Sequence, residues 1–256
     1  MRAGQRDDPW PSREDPLALR AGQRDAVKGP RPVWLFDLDN TLHDASNGAL
    51  RLIDEAMTTY IARELRLDPA EADVLRLDYW RRHGATLLGL ERHHGVRAAH
   101  FLEDTHRLPD LEAHLTVNAR DRAALKALPG RKFVLTNAPA AYAKRVLTGL
   151  GLAGAFEAVI SIERMRCFGR LRPKPDGRML RIVLARLKLR PERCVLVEDT
   201  LAHQRSAHAL GLRTVWMQRY LWRNAHGPEV GARLRRKPVY VYARIPSLQK
   251  LRIHFC

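Results

Sequence analysis

Two aspartates one residue apart, Asp37 and Asp39, follow a short apolar run in the stretch WLFDLDNTL, Trp34 to Leu42. Carboxylates this close repel each other unless a cation shares their negative charge. A hard divalent cation such as Mg²⁺ is bound in proteins by one or two carboxylates together with phosphate oxygens. The pair therefore predicts a Mg²⁺ site, unless the two carboxylates serve only as a turn or a helix cap.

Three later stretches carry comparable polar groups. Thr136 and Asn137 follow the run FVL and offer a hydroxyl and amide donors, and Lys174 lies between two prolines. Glu198 and Asp199 follow the run VLV and add carboxylates from a different part of the chain. Each group alone is compatible with an ordinary cap or turn. Together, however, these groups fall in order at the ends of successive strands of one predicted sheet. Their combination therefore indicates one site for a metal ion and a phosphate.

The elements that must position these groups alternate between strands and helices. Five apolar runs are typical of buried parallel strands: VWLF, GRKFVLTNAP, AVISI, RCVLVEDT and LRTVWM. Helical spacing of apolar residues separates them, as in PAAYAKRVLTGLGL and DGRMLRIVLARLKL. This alternation predicts an α/β fold with a doubly wound parallel sheet, in which ligands bind beyond the carboxyl ends of the strands. The polar groups would meet there.

The remaining segments define the expected domains. Residues 44–120 contain several helical patterns and no convincing strand, so we expect an inserted α-helical cap that covers the site. Residues 31–43 and 121–256 would form the α/β core, where the late stretch VYVY is a candidate edge strand or docking segment. Residues 1–30, rich in Arg, Asp, Gly and Pro, are expected to be a disordered N-terminal extension.

The composition narrows the class of protein further. The 256 residues carry a net charge of +17, but arginine is spread along the whole chain and no helix-turn-helix or zinc-finger spacing is present. We therefore expect a small phosphorylated substrate as the partner, and not a nucleic acid. No apolar run suits a membrane span, the N-terminus lacks an apolar signal region, and three scattered cysteines fit a reducing compartment. A cytoplasmic monomer or homodimer without membrane association is the expectation.

The four polar groups resemble, in chain order, the four motifs of the haloacid dehalogenase (HAD) superfamily of aspartate-nucleophile hydrolases. The motifs here read DLDNT, TN, the lysine of PKP, and ED, and the resemblance covers roughly residues 32–218. Within the superfamily, the stretches FDLDNTL, YWRRHGATLLGL and TNAPAAYAKRVLTGLGL are most similar to bacterial pyrimidine 5′-nucleotidase-like phosphatases. The resemblance implies a Rossmannoid HAD core with a small α-helical cap.

The resemblance also implies the roles of the two aspartates. Asp37 would attack phosphorus and form an aspartyl-phosphate. Asp39 would protonate the leaving oxygen and then take a proton from the hydrolytic water, while its backbone carbonyl contributes to the Mg²⁺ site. The dehalogenases proper lack this second aspartate, so its presence favours phosphate chemistry.

The other motif residues would hold the phosphate and the metal ion. Thr136 and the Asn137 amide would hold the phosphoryl oxygens, and Lys174 would neutralise the charge that Asp37 shares with the phosphate. Asp199 would complete the Mg²⁺ ligands, with Glu198 either a direct ligand or one step removed. Motif four departs from the family pattern, because His203 stands where many members have Asn or Asp. This histidine could support the site, weaken Mg²⁺ binding, or make activity depend on pH near neutrality.

Selection of the substrate would fall to the cap, in the stretch YWRRHGATLLGLERHHG, Tyr79 to Gly95. Arg82, His83 and Thr86 are the candidates for contacting the leaving group. Alternatively, the aromatic and aliphatic residues of this stretch pack the cap's own core and its arginines are solvated. The stretch thus predicts where specificity lies but not its chemistry.

Three functions fit these observations. The first is a Mg²⁺-dependent phosphomonoester hydrolase, plausibly a pyrimidine nucleoside 5′-monophosphate phosphatase. The second is a phosphoglucomutase-like sugar phosphomutase of the same superfamily, which returns the phosphoryl group to a sugar. The third, suggested by His203 and the net charge of +17, is a catalytically lapsed, basic polyanion-binding protein.

Overall fold

The computed structural model describes residues 31–116, 118–225 and 227–255 of the chain. The expected N-terminal extension, residues 1–30, lies outside the described residues. The strands are β1 (Val33–Phe36), β2 (Arg131–Leu135), β3 (Ala158–Ile160), β4 (Arg166–Cys167), β5 (Arg170–Leu171), β6 (Cys194–Glu198), β7 (Arg213–Met217) and β8 (Ala243–Ile245). The helices that precede β3 are α1 (Ala49–Leu65), α2 (Pro69–His83), α3 (Thr86–His94), α4 (Ala98–Thr105), α5 (Ala119–Ala127) and α6 (Ala140–Gly149). Those that follow it are α7 (Gly177–Arg186), α8 (Leu201–His208), α9 (Arg219–Arg223), α10 (Pro228–Arg235) and α11 (Leu251–Phe255).

Six strands form a parallel sheet in the order β3-β2-β1-β6-β7-β8, while β4 and β5 form a separate antiparallel hairpin. The strand β1 lies between β2 and β6, and its last residue Phe36 pairs with Val134 and with Val197. This register brings the segments after β1, β2 and β6 to the same edge. The doubly wound parallel sheet expected from the alternating pattern is confirmed.

The sheet is buried on both faces, which explains why its strands are continuous apolar runs. Trp34 and Phe36 belong to a core on one face together with residues of α5 and α6. Val33 and Leu35 belong to the core on the other face, against residues of α7. The alternation of side chains along β1 therefore supplies both layers.

Between β1 and β2, the described residues form helices joined by turns and loops, and they form no strand. Parts of α1 to α4 share a core of their own, which includes Tyr60, Tyr79 and Phe101 and which Ile162 and Leu171 of the α/β core complete. The helix α2 begins with a reciprocal capping box between Asp68 and Glu71, as its sequence indicates. The helical character expected for residues 44–120 is therefore observed.

Two segments pack differently from a simple division of the chain. Leu108 and Leu111, within the range assigned to the cap by sequence, pack in the core of the sheet. The stretch VYVY is not itself a strand, because the chain turns there with Val241 N–H donating to the Pro238 carbonyl. The edge strand β8 follows immediately, parallel to β7.

Candidate active site

The register of the sheet gathers the predicted polar groups. Asp37 comes directly after β1, and its backbone N–H donates to the Val197 carbonyl of β6 at 3.0 Å. Thr136 comes directly after β2, and its N–H donates to the Ile160 carbonyl of β3 at 3.0 Å. Since Glu198 ends β6, three of the four motifs are fixed at one edge of the sheet by backbone hydrogen bonds.

Lys174 joins two of these motifs through its side chain. Its Nζ lies 2.6 Å from Asp37 Oδ1 and 2.8 Å from Glu198 Oε2, and all three side chains are buried. Burial disfavours the charged ammonium, but the attraction of Asp37 and Glu198 outweighs it and raises the pKa of Lys174 above its ordinary value. Lys174 is therefore a permanent cation at the centre of the site.

Asp37, the nucleophile that the sequence predicts, has a hydrogen-bond partner on each oxygen. Its Oδ1 accepts the bond from Lys174, and its Oδ2 accepts a hydrogen bond from the Thr41 hydroxyl at 3.0 Å. Burial and the neighbouring Glu198 raise the pKa of Asp37 to about 6, against the opposing effect of Lys174. With its pKa at about 6, the Asp37 carboxylate is still largely ionised at neutral pH, beside the cation of Lys174.

The carboxylates of Asp37, Glu198 and Asp199 have oxygen atoms that lie within 4.8 Å of one another. Burial, followed by the charges of Glu198 and Asp37, raises the pKa of Asp199 well above its usual range. Lys174 alone does not balance three carboxylates. Closely spaced carboxylate oxygens with excess negative charge are the ligands that a hard divalent cation such as Mg²⁺ prefers. Asp37, Glu198 and Asp199 therefore fit this ion.

Glu198 has partners on both of its oxygens. Oε1 accepts from the Thr200 backbone N–H at 3.1 Å, and Oε2 faces both Lys174 and His203, whose Nδ1 lies 3.1 Å away. Burial would raise the pKa of Glu198, but the charges of Lys174 and His203 hold it below its ordinary value. His203, at which motif four departs from the family pattern, therefore contacts the acidic cluster directly.

Asp39 has separate surroundings. Its Oδ1 lies 2.9 Å from His43 Nε2 and accepts a hydrogen bond from the Tyr142 hydroxyl at 2.9 Å. Burial raises the pKa of Asp39, but these two hydrogen bonds outweigh it and leave the pKa lower than usual. The Asp39 side chain is therefore held by His43 and Tyr142 and not by the Lys174 contacts that join Asp37 to Glu198.

Thr136 and Asn137 lie at the expected edge but use part of their bonding capacity locally. The buried Thr136 hydroxyl accepts from the Ala138 N–H at 3.0 Å. Asn137 Oδ1 accepts from the Lys174 N–H at 2.9 Å, and its Nδ2 donates to the Lys174 carbonyl at 3.0 Å. The Asn137 side chain therefore fixes the loop that carries Lys174, a role that the sequence did not indicate, because the two residues are far apart in the chain.

The three cap candidates are engaged within the helical insertion. Arg82 pairs with Asp78 at 2.8 Å and is 70% exposed. The buried Thr86 hydroxyl donates to the Arg76 carbonyl at 3.0 Å. His83 packs its ring 5.7 Å from that of the buried Tyr79. None of these described contacts involves a residue at the strand tips, so their role toward substrate stays a prediction.

Three residues of the site had no assigned role in the sequence pattern. Thr41 lies within DLDNT and contacts Asp37, while His43 follows four residues after Asp39 and contacts it. Tyr142 of α6 contacts Asp39 from 103 residues away. The spacing of Thr41 and His43 could have indicated them, whereas only the packing of α6 against the sheet brings Tyr142 to the site.

Comparison with known proteins agrees with this geometry. The model of the haloacid dehalogenase-like hydrolase family matches residues 33–211, well over half of the chain. Phosphate metabolism protein 8 of Saccharomyces cerevisiae is 27% identical over 140 residues, which cover 50% of this chain and 43% of the yeast protein. The chain therefore spans less than half the length of that relative.

Solved structures share the fold. The HAD phosphatase from Thermococcus onnurineus has a TM-score of 0.58 at 19% identity, covering 88% of this chain and 97% of that one. CbbY from Rhodobacter sphaeroides, in complex with phosphate, has a TM-score of 0.57 at 20% identity, covering 87% and 96%. Identities this low show the fold alone. The match of the family model over more than half of the chain establishes that the chain belongs to the haloacid dehalogenase-like hydrolases.

Proposed function

We propose that this hydrolase is a Mg²⁺-dependent phosphomonoester hydrolase that works through an aspartyl-phosphate on Asp37. The observation that carries the proposal is the contact of Lys174 with both Asp37 and Glu198, beside the third carboxylate of Asp199. Phosphoryl transfer depends chiefly on positioning and on compensation of charge, and this cluster provides both.

The proposed reaction uses the chain's own groups in two steps. In the first, an oxygen of Asp37 forms a bond to phosphorus while the bond to the leaving oxygen breaks, and Asp39 donates a proton to that oxygen. In the second, Asp39 takes a proton from water as the water oxygen attacks phosphorus, which releases phosphate and restores Asp37. Lys174 balances negative charge in both steps, and Thr136 with the Asn137 backbone amide would hold the phosphoryl oxygens.

Asp37, Asp199 and the Asp39 backbone carbonyl would hold Mg²⁺, and Glu198 would orient Lys174 beside them or contribute a further oxygen. The ion would supply positive charge to the phosphoryl oxygens. Lys174 cannot take over this task alone, because it is already shared between Asp37 and Glu198. We therefore expect activity to require a divalent cation.

For the substrate we propose a pyrimidine nucleoside 5′-monophosphate. Support comes from the resemblance of the cap and motif stretches to the pyrimidine 5′-nucleotidase-like phosphatases. The helical insertion, whose core Ile162 and Leu171 complete, would supply the cap. Tyr79 is buried in that core with its hydroxyl 2.8 Å from His94 Nε2, so its ring packs the cap and is not offered to a base. Arg82, His83 and Thr86 would recognise the nucleoside part of the substrate. We further propose that the enzyme is cytoplasmic and is a monomer or a homodimer.

The test is a screen of phosphomonoesters with and without Mg²⁺, including nucleotides and sugar phosphates. We expect Mg²⁺-dependent release of phosphate, fastest with pyrimidine nucleoside monophosphates. The substitution Asp37→Asn should lower kcat by at least about a thousandfold, as expected for loss of a covalent nucleophile. Turnover that is independent of Mg²⁺, or wild-type rates in the Asp37→Asn variant, would contradict the mechanism.

Two controls separate the alternative functions. Isomerisation of a hexose phosphate without net release of phosphate would identify a phosphomutase. Binding of a polyanion that is unchanged in Asp37→Asn, with no turnover of any phosphomonoester by the wild-type protein, would identify a catalytically lapsed binding protein.

A further inference from the structure

Asp39 is held by donors from two separate elements. His43 lies on the loop between β1 and α1, and Tyr142 lies on α6 beyond β2. Among the residues that the structure describes, both contacts to the Asp39 carboxylate end on Oδ1, each at 2.9 Å. Oδ2 is therefore the oxygen that can exchange a proton with a substrate.

The surroundings of His43 fix the direction of its hydrogen bond. The ring is completely buried, and its Nδ1 has no hydrogen-bond partner among the described residues. A proton on Nδ1 would leave a buried donor without an acceptor, which is unfavourable. Nε2 therefore carries the proton that His43 donates to Asp39 Oδ1.

Tyr142 is an equally well-defined donor. Its ring is buried in the core of the sheet, and the half-buried His106 packs against it edge to face at 5.7 Å. Its hydroxyl lies 2.9 Å from Asp39 Oδ1 and donates a hydrogen bond to that carboxylate oxygen. Its position is set by the packing of α6 and not by the loop that carries Asp39.

We infer that His43 and Tyr142 are positioning residues that hold the Asp39 carboxylate so that Oδ2 can transfer a proton to and from the reacting oxygen. A carboxylate on a loop turns about its side-chain bonds unless fixed donors hold it, and a small misplacement of a catalytic group slows the reaction. Two donors on one oxygen, one local and one from the sheet core, define the orientation. The inference rests on the proposed function, because it requires Asp39 to be the acid.

The test compares leaving groups that differ in their need for a proton. A nitrophenolate leaves without protonation, whereas the ribose 5′-oxygen of uridine monophosphate requires it. The quantity to measure is kcat/KM, because it covers the steps up to departure of the leaving group and excludes hydrolysis of the aspartyl-phosphate. We expect Tyr142→Phe and His43→Leu to lower kcat/KM for uridine monophosphate by about tenfold or more, and for p-nitrophenyl phosphate by less than about threefold.

Two further variants separate positioning from packing. Tyr60→Phe removes a buried hydroxyl of the cap that lies 2.8 Å from His100 Nδ1, and it should leave the ratio of the two substrates unchanged. His43→Gln keeps an N–H near the position of Nε2, so it should recover most of the rate that His43→Leu loses. Should Tyr142→Phe fail to fold, the comparison of His43→Leu with His43→Gln provides the same test.

The results distinguish this inference from the proposed function. Absence of phosphomonoester turnover in the wild-type protein, or full activity of Asp39→Asn on uridine monophosphate, would overturn the proposed function itself. An active wild type, whose Tyr142→Phe and His43→Leu variants lose equal rates on both substrates or lose none, would overturn only the positioning role.

Discussion

At the scale of single residues, the site is dominated by one buried cation among carboxylates. Lys174 satisfies Asp37 and Glu198 at the same time, and Asn137 fixes its backbone from both sides. Removal of one partner from a buried ion pair leaves an uncompensated charge, which costs more than the pair itself contributes. We therefore expect the stability of the fold to depend on a residue for which we propose a role in the reaction.

We expect Lys174→Met to lower the free energy of unfolding by about 3–5 kcal/mol at neutral pH, because Asp37 and Glu198 would lose their shared cation. The matched control is Lys132→Met on β2. Lys132 is half-buried, and its pKa is lowered by burial. Among the described residues its Nζ donates to the Gly130 carbonyl at 3.3 Å, so its loss should cost less than about 1 kcal/mol. Urea unfolding followed by circular dichroism measures the free energy of unfolding of both variants. Equal losses in Lys174→Met and Lys132→Met would show that the Lys174 contacts are not stabilising.

At the scale of elements, the helical insertion depends on close packing between α2 and α3. Gly89 of α3 faces the ring of Tyr79 of α2, and a Cβ atom at position 89 would lie 2.3 Å from Tyr79 Cγ. Tyr79 also anchors the insertion's core and bonds to His94. The stretch that the sequence singles out for specificity is therefore held in shape by a glycine.

Gly89→Ala should destabilise the protein by about 1–3 kcal/mol, although alanine favours a helix, because the added methyl group overlaps a buried ring. Gly231→Ala in α10 is the matched control, since its Cβ would lie at an ordinary 3.7 Å from Trp222. The control should be neutral or stabilising by up to about 1 kcal/mol. Denaturant unfolding of both variants tests the packing, and a Gly89→Ala variant as stable as the wild type would refute it.

At the scale of the whole molecule, the chain extends beyond the matched family region and uses that extension to complete the fold. Ala243, Ile245, Leu248 and Leu251 belong to the main core, and β8 forms an edge of the sheet. Asn224 Nδ2 donates to Asp44 Oδ1 at 3.2 Å, next to the loop that carries the site. In the part of the chain that the structure describes, no helix is both long and apolar enough to cross a membrane.

The stability of the whole molecule should depend on Mg²⁺ and pH together. The pKa of Asp37 is raised from 3.8 to about 6 by burial and Glu198, and that of Asp199 is raised by burial and the same neighbour. A carboxyl with a raised pKa contributes stability that is complete below its unfolded pKa and is lost as pH rises through its folded pKa. Without metal, Asp37 should therefore lower stability as pH rises from about 4 through about 6, and Asp199 should act in the same direction.

Since Mg²⁺ binds the ionised carboxylates, we expect the increase in Tm that it produces to grow over the same pH range. At a hundred times its Kd, the ion would contribute about 2.7 kcal/mol. Thermal unfolding with Mg²⁺ or with a chelator, at matched ionic strength, measures the increase. Asp199→Asn should abolish most of the increase in Tm that Mg²⁺ produces. A Mg²⁺-dependent increase in Tm that becomes smaller as pH rises would contradict the proposed metal site.

Local sequence patterns were enough to predict five strands of the parallel sheet and the polar groups at their carboxyl ends. Buried parallel strands are continuous apolar runs, and the residues that follow them must lie at the carboxyl ends, so Asp37, Thr136 and Glu198 could be placed together in advance. The helical insertion was equally visible, because helix-spaced apolar residues and the capping box of α2 are local signals. These features depend only on neighbours in the chain.

Side-chain contacts between residues far apart in the chain could be identified only from the folded structure. Tyr142 reaches Asp39 and Asn137 reaches Lys174 across long stretches of chain, and no periodicity records such a meeting. Leu108 and Leu111 pack in the core of the sheet. The apolar face of a short segment can pack against either core, and its hydrophobic pattern does not specify which one. Contacts between distant side chains are set by the packing of whole elements, and that packing is a property of the folded molecule.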